Sequence, residues 1–232
     1  MTGLKINDKK TQLLSISNAK NTNTAWIKLK DGSTMYSGEN LKLLGFIFNQ
    51  KPNVHSQVDN IIDRAASRSF VLRHLSNINC DKKKLRNVYC SIVRSVLEYS
   101  SVVYGPMLTK YQSNRIENIQ KRCLRSIYGF KLGYDELLEE SGLKTLEQRR
   151  EEATLKFALK ASKNPQFMHW FPLNLNRSTG RMSKTFEEKH ASSDRLYNSP
   201  LFKMRRLLNN TPDSNTNTIT NYSDPSHLFN AP

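Results

Sequence analysis

From Val54 to Ala161 apolar residues return every three or four positions, after a start that reads as strands, and this switch in period constrains the fold more than any other feature. A chain patterned this way must bury helix stripes against one another, with a small sheet beside them. Val54, Val58, Ile61, Ile62, Ala65, Leu72 and Leu75 predict a first amphipathic helix, with Arg64 and Arg68 one turn apart on a different arc. Asp81 stands where an N-cap belongs. The helix it opens carries Leu85, Val88, Tyr89, Ile92, Val93, Val96, Leu97 and Val103 over a wide face, so it is expected at the centre of the core, with Gly105-Pro106 breaking it. A third helix turns Ile116, Ile119, Cys123, Leu124 and Ile127 inward and Arg115, Arg122 and Arg125 outward, and Gly129 closes it. A short acidic helix around Asp135 to Glu140 stops at Ser141-Gly142. Thr145 and Gln148 then form a capping-box pattern for a helix with Leu146, Ala153, Phe157 and Ala158, ended by Pro165.

The first fifty residues follow another rule. Leu4 to Ser17 reads L-K-I-N-D-K-K-T-Q-L-L-S-I-S, with Asn7-Asp8 as a turn between short strands. Trp26 to Leu29 leads through the Asp31-Gly32 turn signal to the β-prone run Leu41 to Phe48, bounded by Pro52. The far end has no sustained period: 172–200 reads as an extended, loosely packed basic arm, and Leu201 to Leu208 as one last helical turn. Beyond Thr211, many Asn, Thr, Ser and Pro predict a disordered tail. The expected fold class is mainly α with a small N-terminal antiparallel β element, divided as 1–52, 53–171, 172–210 and 211–232.

Charge narrows the partners. Thirty-six Lys and Arg against twenty Asp and Glu give +16, an excess that favours capture of polyanions, so RNA or DNA backbone is the expected partner. No apolar run approaches the roughly 20 residues of a membrane span, and no basic-then-apolar leader opens the chain, so no membrane is expected. Cys80, Cys90 and Cys123 lack metal or disulfide spacing and read as small core residues in a reducing compartment, nucleus or cytoplasm.

Residues for catalysis are missing from the pattern. Metal-dependent nucleotidyl transfer needs carboxylates close enough to share cations, and no two Asp are adjacent. Glu139-Glu140, Glu151-Glu152 and Glu187-Glu188 read as solvated charge. The five histidines have no ligand spacing, and no Gly-rich phosphate loop is present. Neither catalytic nor metal residues are expected, and no cofactor. What remains is basic: Arg64 with Arg68, Arg115 with Arg122 and Arg125, and Lys82, Lys83, Lys84 and Arg86 crowded at a helix start. Lysines there oppose the helix dipole unless an anion is near. The Tyr and Phe residues around these groups are expected in the core rather than as base-stacking platforms.

The order of motifs resembles non-LTR (LINE-type) retrotransposon reverse transcriptases over roughly residues 3 to 210. Asn7, Lys10 and Thr11 match the Asn-x-x-Lys-Thr segment that follows the family's catalytic hairpin. Leu43-Leu44-Gly45-Phe46 is similar to its primer-grip region at the palm edge. The helices from Val54 to about Phe130, with the stretch E-Y-S-S-V-V-Y-G-P from Glu98 to Pro106, look like its thumb, and Ser199-Pro200 with Leu207-Leu208 resembles the variable end of such elements.

The resemblance implies 1–52 as end of palm, 53–171 as a thumb-like helical bundle, and nucleic-acid contacts from Asn7, Lys10, Thr11, Arg64, Arg68, Lys82, Lys83, Lys84, Arg86, Arg115, Arg122 and Arg125. The family's metal-binding carboxylates lie upstream of every matched segment. The expectation is therefore a truncated reverse-transcriptase fragment that binds template-primer or RNA/DNA hybrid without its own polymerase site. Mg2+ is expected only for an intact parent enzyme, with Lys10 a vestigial general acid. The alternatives are an RNA-directed DNA polymerase subunit completed by a chain supplying the missing palm, and a helical protein-interaction module.

Overall fold

The computed structural model describes residues 10–17, 25–78, 80–174, 185–188 and 190–211. Asn7, the turn at Asn7-Asp8 and the tail beyond Thr211 lie outside the described residues. The protein is mostly helical, with two small antiparallel strand pairs near its N-terminus. By its contacts it divides into two units, Met1–Gln148 and Arg149–Pro232.

In the first unit, β1 (Trp26–Lys28) pairs with β2 (Thr34–Tyr36), setting Trp26 opposite Tyr36. The expected Asp31-Gly32 turn joins them: Gly32 takes φ +86°, and Asp31 Oδ1 accepts from Ser33 N and Oγ at 2.8 and 2.6 Å. One expectation fails here: residues 11–17 form no regular strand, although Ser17 N donates to Gln50 O and Gly38 N to Leu13 O. The β-prone run Leu41 to Phe48 forms a hairpin, β3 (Asn40–Leu43) and β4 (Phe46–Asn49), folded at Leu44-Gly45. Both turn residues have positive φ, +49° and +81°. Gly45 adopts this freely, and Leu44 is the strained partner.

Helix α1 (His55–Asn77) buries Val58, Ile61, Ala65 and Leu72, the stripe its period predicts. In α2 (Lys82–Val88) Asp81 is the N-cap, accepting from Lys84 N at 3.2 Å. That bond gives the lysine-rich helix start a negative group of its own. The helix runs on through a π turn at Tyr89–Arg94 into α3 (Ser95–Glu98). The expected break at Gly105-Pro106 is displaced: the helix stops at Tyr99-Ser100, where Ser100 enters the left-handed region at φ +57°. After α4 (Ser101–Tyr104), Gly105–Met107 continues as a 3-10 turn, which tolerates Pro106 because a first-turn N–H needs no partner.

Helix α5 (Lys110–Tyr128) opens with a Thr109/Gln112 capping box and closes at Gly129, φ +107°. Its buried face includes the five predicted apolar residues. Helix α6 (Tyr134–Ser141) stops at left-handed Gly142, and α7 (Leu146–Ser162) starts at the predicted box, with Thr145 N donating to Gln148 Oε1 and Gln148 N to Thr145 Oγ1.

Among the polar side chains buried in the mainly apolar core of this unit, Gln120 stands at the centre of a network. Tyr89 OH donates to Gln120 Oε1 at 2.6 Å, and Gln120 Nε2 donates to Tyr134 OH at 2.8 Å and to Lys144 O at 3.1 Å. Tyr134 OH in turn donates to Glu117 Oε1, which also accepts from Leu146 N. Burial, and then the Glu117 carboxylate, push the Tyr134 hydroxyl well above its ordinary value. These bonds specify one arrangement of the π turn, α5 and α6, because a buried polar group without a partner costs more than the bond contributes.

The second unit corrects the expected arm. Residues 194–197 and 200–210 are helical, α8 (Asp194–Tyr197) and α9 (Pro200–Asn210), the latter longer than one turn and burying Met204 and Leu208. Within this unit Phe186 bridges to Leu173 and meets Phe171 edge-on. The Asn209 side chain bonds both Phe186 N and O, at 2.9 and 3.1 Å. Arg205 Nε donates to Trp170 O at 2.8 Å, and Lys203 pairs with Glu151 at 2.6 Å. Side chains that cap loop backbone take the place of the long apolar period a bigger helix would show.

Candidate nucleic-acid interface

Helices α1 and α5 pack against each other throughout the core. Where their solvent-facing edges diverge they leave a cavity of about 290 Å3. Its floor is apolar, from Ala66, Ile119 and Cys123; Arg73, Arg122 and Arg125 line it, with Ser69 and Ser126 between them and Phe130 at the end of α5. A shallower opening adjoins it, sharing Arg122 and Arg125 and adding Ile62, Arg115, Asn118 and Lys121. Among the described residues no carboxylate lines either space. Arg125 Nε is buried without a hydrogen-bond partner. Cations gathered without counter-charge repel one another, and the repulsion is relieved by an anion from outside.

Helical spacing explains the cluster. Ala66, Ser69 and Arg73 stand at i, i+3 and i+7 on α1, while Arg122, Arg125 and Ser126 form a matching arc on α5. Cys123 lies beneath them; burial pushes its thiol up to about 12, against the pull of the Arg122 and Arg73 charges. All three cysteines are free, Cys123 buried and Cys80 and Cys90 half-buried.

The predicted site residues separate into different places. Arg115, Arg122 and Arg125 come together as expected, but Arg115 is already paired, its Nη1 donating to Asp59 Oδ1 at 2.8 Å. Arg64 and Arg68 lie on another arc of α1 and line neither space; Arg68 Nη1 donates to Ile92 O of the π turn at 3.0 Å. Arg86 is a structural residue, donating from Nη1 to Ser141 O at 3.0 Å and so satisfying the C-terminus of α6. Lys82, Lys83 and Lys84 are exposed at the start of α2, with Lys82 Nζ 5.7 Å from the Tyr128 ring centre. Lys10 is exposed, Thr11 half-buried, and Asn7 lies outside the described residues.

Sequence reasoning missed Arg73, Lys121 and Phe130. The i+7 spacing from Ala66 was the available signal for Arg73. Phe130 is 76 % exposed, against the expectation that aromatic residues near the arginines belong to the core.

Two stretches quoted for the resemblance also meet. Tyr99, of E-Y-S-S-V-V-Y-G-P, donates its hydroxyl proton to Leu44 O at the tip of the β3–β4 hairpin. Among the described residues no group of three or more His, Cys, Asp or Glu is placed to hold a metal, and no helix is long and apolar enough to cross a membrane. No protein-family model, no curated protein and no solved structure matches the chain.

Proposed function

We propose that this chain binds the sugar-phosphate backbone of nucleic acid through the α1–α5 face, as the end of palm and thumb of a reverse transcriptase of the non-LTR type. The observation that carries the reading is the guanidinium cluster of Arg73, Arg122 and Arg125, whose cavity is lined by no carboxylate among the described residues. Backbone contacts of this kind hold a duplex without reading its sequence. The hydrogen bond between Tyr99 and Leu44 joins two of the segments that carry the resemblance, which supports the assignment to this family. No step of chemistry is assigned to Lys10, which is exposed.

The test is binding of the whole chain to a labelled RNA/DNA hybrid across a salt series, with primer extension on the same sample. Binding should weaken linearly in log salt, without extension. Absence of binding at low salt, or affinity for an acidic protein that salt leaves unchanged, overturns the reading in favour of a protein-interaction module.

One observation favours the partner-completed polymerase subunit as a second reading. Trp26, Tyr36, Leu43 and Leu44 are exposed at 58, 64, 54 and 85 % on hairpins of only two strands. If they await a chain that completes the palm, Trp26→Ser with Tyr36→Ser should raise the solubility of the isolated protein without altering hybrid binding.

A further inference from the structure

The α1–α5 cavity is more elaborate than backbone contact requires. A phosphate on a regular duplex is met by cations on an open surface; it needs neither a recess nor an apolar floor nor an aromatic ring. Here all three are present: Ala66, Ile119 and Cys123 below, Phe130 at the rim with three-quarters of its surface in water, and the arginines between. At about 290 Å3 the space sits at the bottom of the range of roughly 300–1,000 Å3 for small-molecule pockets, enough for one nucleotide and far too small for a helix of paired bases.

The polar groups fit the same ligand. Ser69 Oγ donates to Ala66 O at 2.6 Å and Ser126 Oγ to Arg122 O at 3.0 Å, so each hydroxyl spends its proton on its own helix and keeps lone pairs for N–H donors such as those on a base edge. The buried Nε of Arg125 is the complementary donor, awaiting an acceptor oxygen. An exposed aromatic ring next to guanidinium groups is the combination that holds single strands, because every base has a face to stack.

We infer that this cavity receives one unpaired nucleotide of a strand, its phosphate held by Arg73, Arg122 and Arg125 and its base stacked on Phe130. The inference rests on the nucleic-acid reading above and deepens it: the protein distinguishes a duplex carrying an unpaired end from a blunt one.

The test uses the whole chain and three labelled RNA/DNA hybrids of identical duplex: one blunt, one with a short unpaired RNA end, one with a short unpaired DNA end. At least one extension should tighten binding roughly 5- to 150-fold, the range that stacking of one base supplies. Phe130→Ala should abolish the difference between that hybrid and the blunt one with melting temperature retained, and Phe130→Trp should restore the preference. Equal affinity of the unaltered protein for all three hybrids overturns the inference and leaves the backbone reading standing. The same holds if Phe130→Ala weakens blunt and extended hybrids alike. No binding to any hybrid at low salt overturns both.

Discussion

Arg68, Arg86 and Arg115 on one side, and Arg73, Arg122 and Arg125 on the other, are the same residue type on neighbouring helices, yet the fold uses them differently. The first three each reach an acceptor in the protein: the Ile92 carbonyl, the Ser141 carbonyl and the Asp59 carboxylate. The second three line a cavity with no acidic residue among the described ones; a buried Nε without a partner does not separate the sets, since Arg86 and Arg125 each have one. A net charge of +16 therefore overstates the cations available to a ligand. Part of it is structural, and the part that can bind phosphate is concentrated where α1 and α5 diverge.

The comparison breaks most visibly in binding. Replacing Arg73, Arg122 and Arg125 together by Ala should lower the salt slope of hybrid binding by about 0.9 for each phosphate the cluster holds, with melting temperature retained. Replacing Arg68 and Arg86 by Ala should do the converse, lowering stability with the slope nearly unchanged. Equal slopes for the two sets would erase the distinction. Next in size is Gln120→Leu, which strands the buried Tyr89 OH and should cost roughly 1–3 kcal/mol in denaturant melts. Arg86→Ala alone, leaving the Ser141 carbonyl without its donor, should cost about 1–2 kcal/mol.

The thiol beneath the arginines sharpens the contrast through pH. Burial raises Cys123 to about 12 in the folded chain, whereas an unfolded cysteine ionises near 8.5. The unfolded state thus releases its proton first. The stabilisation is complete below pH about 8.5 and is lost progressively as pH rises toward 12. Tyr89 and Tyr134, both raised by burial first, add a loss of the same sign from about pH 10. Melting temperature should fall above pH 9, and Cys123→Ala should flatten the first part of that fall; an unchanged curve would place the thiol in water.

How much of this was legible in the sequence depends on distance along the chain. Apolar period placed α1, α5 and the end of α6, and caps at Asp81, Thr145 and Gly129 were readable because their chemistry is local. The hairpin at Leu44-Gly45 lacked an Asn-Gly or Asp-Gly signal, and the break at Tyr99-Ser100 has neither Gly nor Pro, since a hydrogen bond between Tyr99 and Leu44 holds that corner from 55 residues away. Helix α9 was underestimated because its stability rests on Asn209 and Arg205 reaching loop backbone rather than on a long stripe. The arginines divide for the same reason: Arg86 and Ser141 are 55 residues apart, Arg115 and Asp59 56. Helical spacing puts side chains on a face; it does not show which acceptors meet them there.

Arg115 is the residue on which the two sets can be interchanged. It lines the opening beside Arg122 and Arg125, so only its bond to Asp59 keeps it from the ligand-facing group. Both side chains are well exposed, at 36 and 54 %, so the pair adds little to stability, and Asp59→Asn should leave the melting temperature almost unmoved. It removes the local negative charge and frees the guanidinium, so hybrid binding should tighten modestly and its salt slope grow by about one. Adding Arg115→Ala to Asp59→Asn should cancel the gain in slope. If Asp59→Asn changes nothing, the opening beside the cavity makes no phosphate contact, and the interface shrinks to the three arginines of the cavity itself.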